Sequence, residues 1–308
     1  MFGIIKKFLR ILVLGFFLSS NSYADSKFEK DLAKVSKHNG FIDNKGEIYS
    51  IEQITDKKNT ILIIYNHGSN NDQTLDKCTK AWDKVPPVIL SLHDQKIKNF
   101  QIKIYKLCSG VRGWSKAEQD RMWKGHEGGK KSFLKLTNKE GLPLIQKQKQ
   151  FLKQKIIKEK IDNFIDQGFE NIVLVGQSAG SWASITLKSK FPEKIDGVIA
   201  FNPAFAGKRN IRKKWPYWEA IRSYGISVMN LTNLKNTMVY AHSKDFYETP
   251  KTLSFLSDLS TVTFIDISEL DCKGTTMLGK GHGIALTECF AEHEAKDKNI
   301  IKFIEEIF

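Results

Sequence analysis

The segment Ile172–Gly180, I-V-L-V-G-Q-S-A-G, restricts the fold of this chain more than any other stretch. Its four apolar, mostly β-branched residues predict a short buried strand, and the amphipathic run Trp182–Lys190 predicts a helix. The residues Gly-Gln-Ser-Ala-Gly between strand and helix must therefore form a sharp turn.

Ser178 lies at the tightest point of this turn. We expect a strained backbone with positive φ there, with Gly176 and Gly180 at positions where a Cβ would collide with neighbouring backbone. The hydroxyl group is thereby held away from the chain, next to the free N–H groups of a helix start. A G-x-S-x-G pattern between strand and helix is typical of a nucleophilic serine.

A serine nucleophile needs a base, and the base needs an acid that fixes its tautomer. Asp245 follows the predicted strand Thr237–Ala241, and His282 lies in a Gly-flanked loop after the next one, Thr261–Ile267. We predict a catalytic triad of Ser178, Asp245 and His282, which has the chain order of hydrolases that place their serine on such a turn.

Four other side chains compete for the positions of acid and base. Glu248 and Asp258 are alternative acids, but both lie deeper in the helix that is predicted next. His242 and His293 are alternative bases. The first is too close to the acid, and the second is in an acidic helix where a surface position is expected.

The run Thr60–Tyr65 predicts a strand buried on both faces of a parallel sheet, and it leads into N-H-G-S at 66–69. This loop should lie at the same sheet edge as the serine turn. We predict the N–H groups of Ser69 and Ala179 as the donors of an oxyanion hole. For His67 a role in bracing the loop is preferred to one as base.

Length and apolar content predict one α/β domain over residues 25–308. Two insertions, at about 108–143 and 205–234, are expected to form caps at the site. In the second, Trp215, Tyr217 and Trp218 form either aromatic cap walls or local core. Further predicted elements are a hairpin over Phe41–Ile54, strands at Gln101–Leu107 and Asp196–Phe201, and helices at Lys27–His38, Thr74–Gln95 and Leu144–Gln167. The second of these helices is expected to be broken near Pro86-Pro87.

The first 24 residues differ in kind from the rest. Their only charges are Lys6, Lys7 and Arg10, and the apolar run Ile11–Leu18 ends in small residues up to Ala24. This pattern predicts a signal peptide cleaved after Ala24. A membrane anchor needs about 20 apolar residues, and the uncharged run that begins at Ile11 is far shorter. We therefore expect a signal peptide rather than an anchor, and a periplasmic or secreted protein.

Four cysteines follow that cleavage point, an even number that predicts disulfides in an oxidising compartment. The pairs Cys78–Cys108 and Cys272–Cys289 are favoured because each joins neighbours in sequence, and the second would brace the loop of His282. Free buried thiols are the alternative. No cysteine spacing indicates zinc, so neither metal nor cofactor is expected.

The formal net charge is +14, and removal of residues 1–24 leaves about +11. Lysine is spread over nearly every segment, without an arginine-aromatic cluster of the nucleic-acid-binding type. We expect a solvated lysine-rich surface with weak attraction to anionic surfaces, and no nucleic-acid partner.

The motifs at 66–69, 176–180 and 281–283, together with Asp245, resemble those of the α/β-hydrolase superfamily, particularly its secreted esterases and dienelactone-hydrolase-like members. The resemblance covers roughly Thr60–Phe308. It implies a doubly wound, mostly parallel sheet flanked by helices, and hydrolysis of a small-molecule or lipid-like ester through an acyl-enzyme without a cofactor. A dienelactone hydrolase proper has cysteine as its nucleophile, so the serine argues against a lactonase.

Two other functions remain open from the sequence. Acyl transfer and peptide cleavage can both proceed through the same acyl-enzyme. In acyl transfer a nucleophile other than water attacks the acyl-enzyme, and in peptide cleavage the acyl-enzyme forms from an amide bond. A non-catalytic surface-binding protein on a hydrolase-like scaffold is the third hypothesis.

Overall fold

The structure, a computed structural model, describes residues 38–68, 84–109, 149–214, 216–272 and 281–308. These residues form a nine-stranded sheet with helices on both faces. The strands are β1 (Gly40–Ile42), β2 (Ile48–Tyr49), β3 (Thr60–Asn66), β4 (Lys96–Ile97), β5 (Phe100–Leu107), β6 (Asn171–Gln177), β7 (Gly197–Phe201), β8 (Thr237–Ala241) and β9 (Val262–Asp266). The helices are α1 (Pro87–Leu90), α2 (Lys149–Asp166), α3 (Ala179–Lys190), α4 (Arg209–Lys214), α5 (Pro216–Ser227), α6 (Ser254–Ser257), α7 (Glu288–Asp297) and α8 (Asn299–Ile307).

The strand order is β2-β1-β5-β3-β6-β7-β8-β9, and β4 pairs with β5. The six strands from β5 to β9 in this order are parallel, whereas β1, β2 and β4 add antiparallel pairings at one edge. The chain proceeds from β3 to β5 on one side and then places β6 on the other side of β3. Ligands bind where the strand order reverses in this way. The predicted mostly parallel sheet flanked by helices is confirmed.

The central strands are buried on both faces, as β3 illustrates. Leu62 and Ile64 pack into the core beneath α2 and α3. Ile61, Ile63 and Tyr65 pack into the opposite core, beneath α1, α7 and α8. Because both faces are covered by helices, these strands are continuously apolar in sequence rather than alternating.

Two glycines allow α3 to cross closely over the end of β3. A Cβ on Gly180 would lie 2.0 Å from the carbonyl oxygen of Asn66 and 2.7 Å from that of His67. A Cβ on Gly176 would lie 2.4 Å from the backbone nitrogen of Ser181. Backbone atoms are the obstacle in each case, as the sequence predicted, so rotation of a side chain cannot relieve the collision.

Two helix predictions differ from the structure at their ends. Helix α3 begins at Ala179 and not at Trp182, because its small first residues give no amphipathic signal. The helix expected to continue to Gln95 ends at Leu90 and is followed by turns. Near the predicted break at Pro86-Pro87, α1 begins at Pro87, since proline fits the first helical turn.

Several predicted features lie outside the described residues and stay predictions. They are the signal peptide, most of the Lys27–His38 helix, residues 69–83 and most of the insertion at 108–143. Among the described residues, the structure contains no helix with the length and apolar character needed to cross a membrane.

We expect Gly180→Ala to destabilise the protein by more than about 3 kcal/mol, because the new methyl group would overlap backbone of β3. Gly168→Ala is the matched control. Gly168 has φ +94° and open space around it, so only backbone strain of about 1–2 kcal/mol is expected. Equilibrium urea unfolding measures both, and equal losses in the two variants would contradict the packing argument.

Candidate active site

Ser178 is held in a strained conformation by three backbone hydrogen bonds. Its φ and ψ are 54° and −116°, between the end of β6 and the start of α3. Its N–H donates to the carbonyl of Phe201 at 3.0 Å, and its carbonyl accepts from the N–H groups of Trp182 and Ala204, each at 3.1 Å. The surrounding backbone thus maintains a geometry that an isolated turn would not adopt.

The imidazole of His282 connects the hydroxyl of Ser178 with the carboxylate of Asp245. Its Nε2 is 2.9 Å from Ser178 Oγ, and its Nδ1 is 2.8 Å from Asp245 Oδ2. Because the carboxylate only accepts, Nδ1 carries the proton, and Nε2 is left to accept the proton of the hydroxyl. The structure therefore brings together all three side chains that the sequence predicts as a triad.

The carboxylate of Asp245 is fully buried and bound at both oxygens. Oδ2 also accepts from the side-chain amide of Asn202 at 3.3 Å, and Oδ1 accepts from the N–H of Tyr247 at 2.7 Å. Asn202 was missed in the sequence. It has φ 47°, a backbone region that asparagine tolerates better than most residues, at the end of β7.

Aromatic rings lie against His282. The ring centroids of Tyr247 and Phe246 are 4.4 and 5.6 Å from that of the imidazole. Burial raises the pKa of Tyr247, and the charge of Asp245 adds to the effect. These rings reduce the contact of the imidazole with water, which strengthens its electrostatic interaction with the acid.

Three arginines of the 205–234 insertion bind carbonyl groups of the segment that carries the acid. Arg209 donates to the carbonyl of Asp245 at 2.7 Å, and Arg212 donates to that of Tyr247 at 3.0 Å. Arg222 donates to the carbonyl of Thr252. Residues of this predicted insertion therefore support the loop that carries Asp245.

Glu248, which competes with Asp245 as the acid in the sequence, instead balances two of these arginines. Its Oε1 accepts from Arg212 at 2.8 Å and from Arg222 at 2.9 Å, and its side chain is 1% exposed. Arg212 also contacts the half-exposed Glu219 at 3.1 Å. A buried carboxylate held between two guanidinium groups suits a structural role.

The other candidate bases, His242 and His293, and the other candidate acid, Asp258, make no hydrogen bond to Ser178 or His282 among the described residues. The Nδ1 of His242 accepts from the N–H of Lys244 at 2.9 Å. His293 lies 3.3 Å from Asp297 on the surface of α7, and Asp258 is exposed at the end of α6. Of these candidates, His282 and Asp245 are the two that the structure connects to Ser178 by hydrogen bonds.

The loop after β3 lies next to Ser178. A Cβ on Gly68 would lie 3.2 Å from that of Ser178. Ala179 is the first residue of α3, so its buried N–H has no partner within the helix. Ser69, the second predicted oxyanion donor, lies outside the described residues. The N–H of Ser109 donates to His67 Nε2 at 3.3 Å, a contact that fits the bracing role predicted for this histidine.

The loop of His282 is fixed from two directions. Cys272 and Cys289 form the predicted disulfide, with their Cα atoms 5.8 Å apart. Gly281 has φ +78°, and a Cβ there would lie 2.7 Å from the backbone nitrogen of Asp245. The base loop and the acid loop are thus in direct backbone contact. Cys78, the predicted partner of Cys108, lies outside the described residues.

The described residues contain no group of three or more histidine, cysteine, aspartate or glutamate side chains placed to hold a metal ion. The groups that the site does bring together are a hydroxyl, an imidazole and a carboxylate, which suit nucleophilic attack with general base assistance.

Ser178 on the turn after β6, Asp245 after β8 and His282 in the loop after β9 appear in the chain order of the α/β hydrolases. Together with a parallel sheet whose strand order reverses at β3 and β6, they define the fold class. The chain has the α/β-hydrolase fold.

Solved structures with a similar fold include Est1E from Butyrivibrio proteoclasticus, with 10% identity and a TM-score of 0.45 over 84% of this chain and 92% of that one. A structure described as "LipS and LipT, two metagenome-derived lipolytic enzymes" has 9% identity and a TM-score of 0.44 over 84% and 95% of the two chains. A thioesterase domain from the curacin biosynthetic pathway has 12% identity and a TM-score of 0.41 over 78% and 91%. No protein-family model and no curated protein matches the sequence. At these low scores, the fold class rests on the strand order and site geometry of this chain.

We expect Glu248→Gln to destabilise the protein by about 3 kcal/mol, because it leaves two largely buried guanidinium groups without their shared carboxylate. Glu219→Gln is the control, since that carboxylate is 49% exposed and should contribute less than about 1 kcal/mol. Urea unfolding of both variants tests this, and a loss below about 1 kcal/mol in Glu248→Gln would be contrary to the expectation.

Proposed function

We propose that this protein is an exported serine hydrolase that cleaves carboxylic ester bonds through an acyl-enzyme. The observation that carries the proposal is the hydrogen-bonded series from Ser178 through His282 to Asp245, with distances of 2.9 and 2.8 Å. In this proposal, Ser178 is the nucleophile, His282 is the general base and Asp245 orients the base.

In the first half of the reaction, His282 Nε2 takes the proton of Ser178 as Oγ attacks the ester carbonyl. The resulting imidazolium is stabilised by the buried carboxylate of Asp245. The N–H of Ala179 at the start of α3, together with that of Ser69, would stabilise the tetrahedral oxyanion. His282 then donates its proton to the departing alkoxide, which leaves as an alcohol and yields the acyl-enzyme.

In the second half, water replaces the alcohol. His282 takes a proton from the water, whose oxygen attacks the acyl carbon, and the intermediate then releases a carboxylic acid. Ser178 regains its proton from His282, so the enzyme returns to its starting state. Every proton transfer passes through the Nε2 of His282, so no further acid or base is needed for these steps.

Two features support an exported enzyme that acts on small-molecule or lipid-like esters. The N-terminal 24 residues have the pattern of a signal peptide, and the disulfide Cys272–Cys289 is the kind of bond that persists in an oxidising compartment. The aromatic rings of Phe246 and Tyr247 beside the base provide apolar surface for an acyl or alkyl group.

We expect a fluorophosphonate probe to label the protein covalently, and Ser178→Ala to remove both the labelling and the hydrolysis of p-nitrophenyl butyrate. The reason is that the hydroxyl of Ser178 is in contact with the imidazole that activates it. Ser257→Ala, which changes an exposed serine of α6, is the control and should label fully. Undiminished labelling of Ser178→Ala would refute the proposal, because another residue would then be the nucleophile. Absence of labelling in the unmodified protein would refute it and favour a binding function.

We expect Asp245→Asn to lower kcat for p-nitrophenyl butyrate by about 10⁴-fold, because an amide at this position no longer fixes the proton on His282 Nδ1. Asp258→Asn is the matched control, since that carboxylate is exposed and remote from the imidazole. Steady-state kinetics measure the effect. Less than a tenfold decrease in Asp245→Asn would show that another group fills the role of the acid.

A further inference from the structure

Gln177 precedes the serine, and its carboxamide has a defined orientation. The side chain is 5% exposed, and its Nε2 donates to the backbone carbonyl of His282 at 3.1 Å. A carbonyl oxygen only accepts hydrogen bonds, so the nitrogen of the amide must face His282. The oxygen, Oε1, consequently faces away from the base loop.

The position of Oε1 is known from its contact with Gly68. A Cβ on Gly68 would lie 2.4 Å from Gln177 Oε1 and 3.2 Å from the Cβ of Ser178. The amide oxygen and the serine side chain therefore lie on the same side of Gly68. A side chain at position 68 would displace Oε1, which is a physical reason for glycine there.

Oε1 is an acceptor that the described part of the protein leaves unused. None of the described N–H or O–H groups donates to it. Gln177 is 5% exposed, and Oε1 lies on the side of Gly68 that also faces the side chain of Ser178. A ligand that covers it must either supply a donor or leave the oxygen unsatisfied.

We propose that Gln177 is a specificity-determining residue, whose Oε1 accepts a hydrogen bond from a hydroxyl group of the substrate close to the scissile carbonyl. This inference rests on the proposed ester hydrolysis. The substrate class is then hydroxylated esters, with the hydroxyl on either the acyl or the alcohol part, and not plain alkyl esters. A site with a hydrogen-bond acceptor disfavours an analogue that lacks the donor, because the acceptor is desolvated without compensation.

Two matched pairs of esters test the inference and distinguish the two sources of the hydroxyl. The acyl pair is p-nitrophenyl 3-hydroxybutyrate and p-nitrophenyl 3-methylbutyrate. The alcohol pair is 2-hydroxyethyl butyrate and propyl butyrate. Within each pair a hydroxyl replaces a methyl group of similar size. We expect the ratio of kcat/KM, hydroxylated over methylated, to be about tenfold in one pair for the unmodified protein.

Two substitutions separate the acceptor from the contact with His282. Gln177→Met removes both, so the rates with all four esters should fall, those with the hydroxylated esters most, and the tenfold ratio should drop to about one or below. Gln177→Glu removes the donor to His282 but keeps an acceptor oxygen, so the rates should fall while the ratio persists. Fluorophosphonate labelling of Ser178 in both variants verifies that they are folded.

Three outcomes would overturn the inference. The first is a ratio near one in both pairs for the unmodified protein. The second is a ratio that Gln177→Met leaves unchanged, and the third is a ratio that collapses equally in Gln177→Met and Gln177→Glu, as a purely structural role predicts. Absence of labelling and of hydrolysis for all four esters would instead refute the proposed function itself.

Discussion

The close approach of α3 to the end of β3 is the contact on which the site depends. It requires that Gly180 has no side chain, since a Cβ would overlap the carbonyl of Asn66. The same contact places the first N–H groups of α3 beside the loop after β3 and holds Ser178 between them. A strained residue persists only where its surroundings allow no other conformation, and here three backbone hydrogen bonds of Ser178 supply that constraint.

The acid side of the site is stabilised differently, by buried charge. The insertion at 205–234 contributes arginines whose guanidinium groups bind carbonyls of the loop that carries Asp245, and Glu248 balances their charge. Removing one partner from such a network leaves an uncompensated charge, so the network fixes the insertion and the acid loop relative to each other. The base loop then contacts this loop through Gly281 and is closed by Cys272–Cys289.

Gln177 connects these two sides. It lies at the end of β6, contacts Gly68 in the loop after β3, and binds the backbone of His282 in the base loop. The three loops converge because parallel strands end at one edge of the sheet, where the strand order reverses. Gln177, next to Ser178, thus contacts both of the neighbouring loops.

The sequence by itself determined most of the strands, the turn at Ser178 and the chain order of Ser178, Asp245 and His282, because runs of apolar residues and glycines are local signals. It also indicated the correct disulfide between Cys272 and Cys289. It did not indicate the two-residue strand β4. Tertiary structure alone decided that Asn202 binds Asp245 and that Glu248 pairs with Arg212, contacts between residues 43 and 36 positions apart. It likewise oriented Gln177 toward His282, 105 positions away. Such contacts follow from how strands and loops pack in space, and no periodicity in the chain records them.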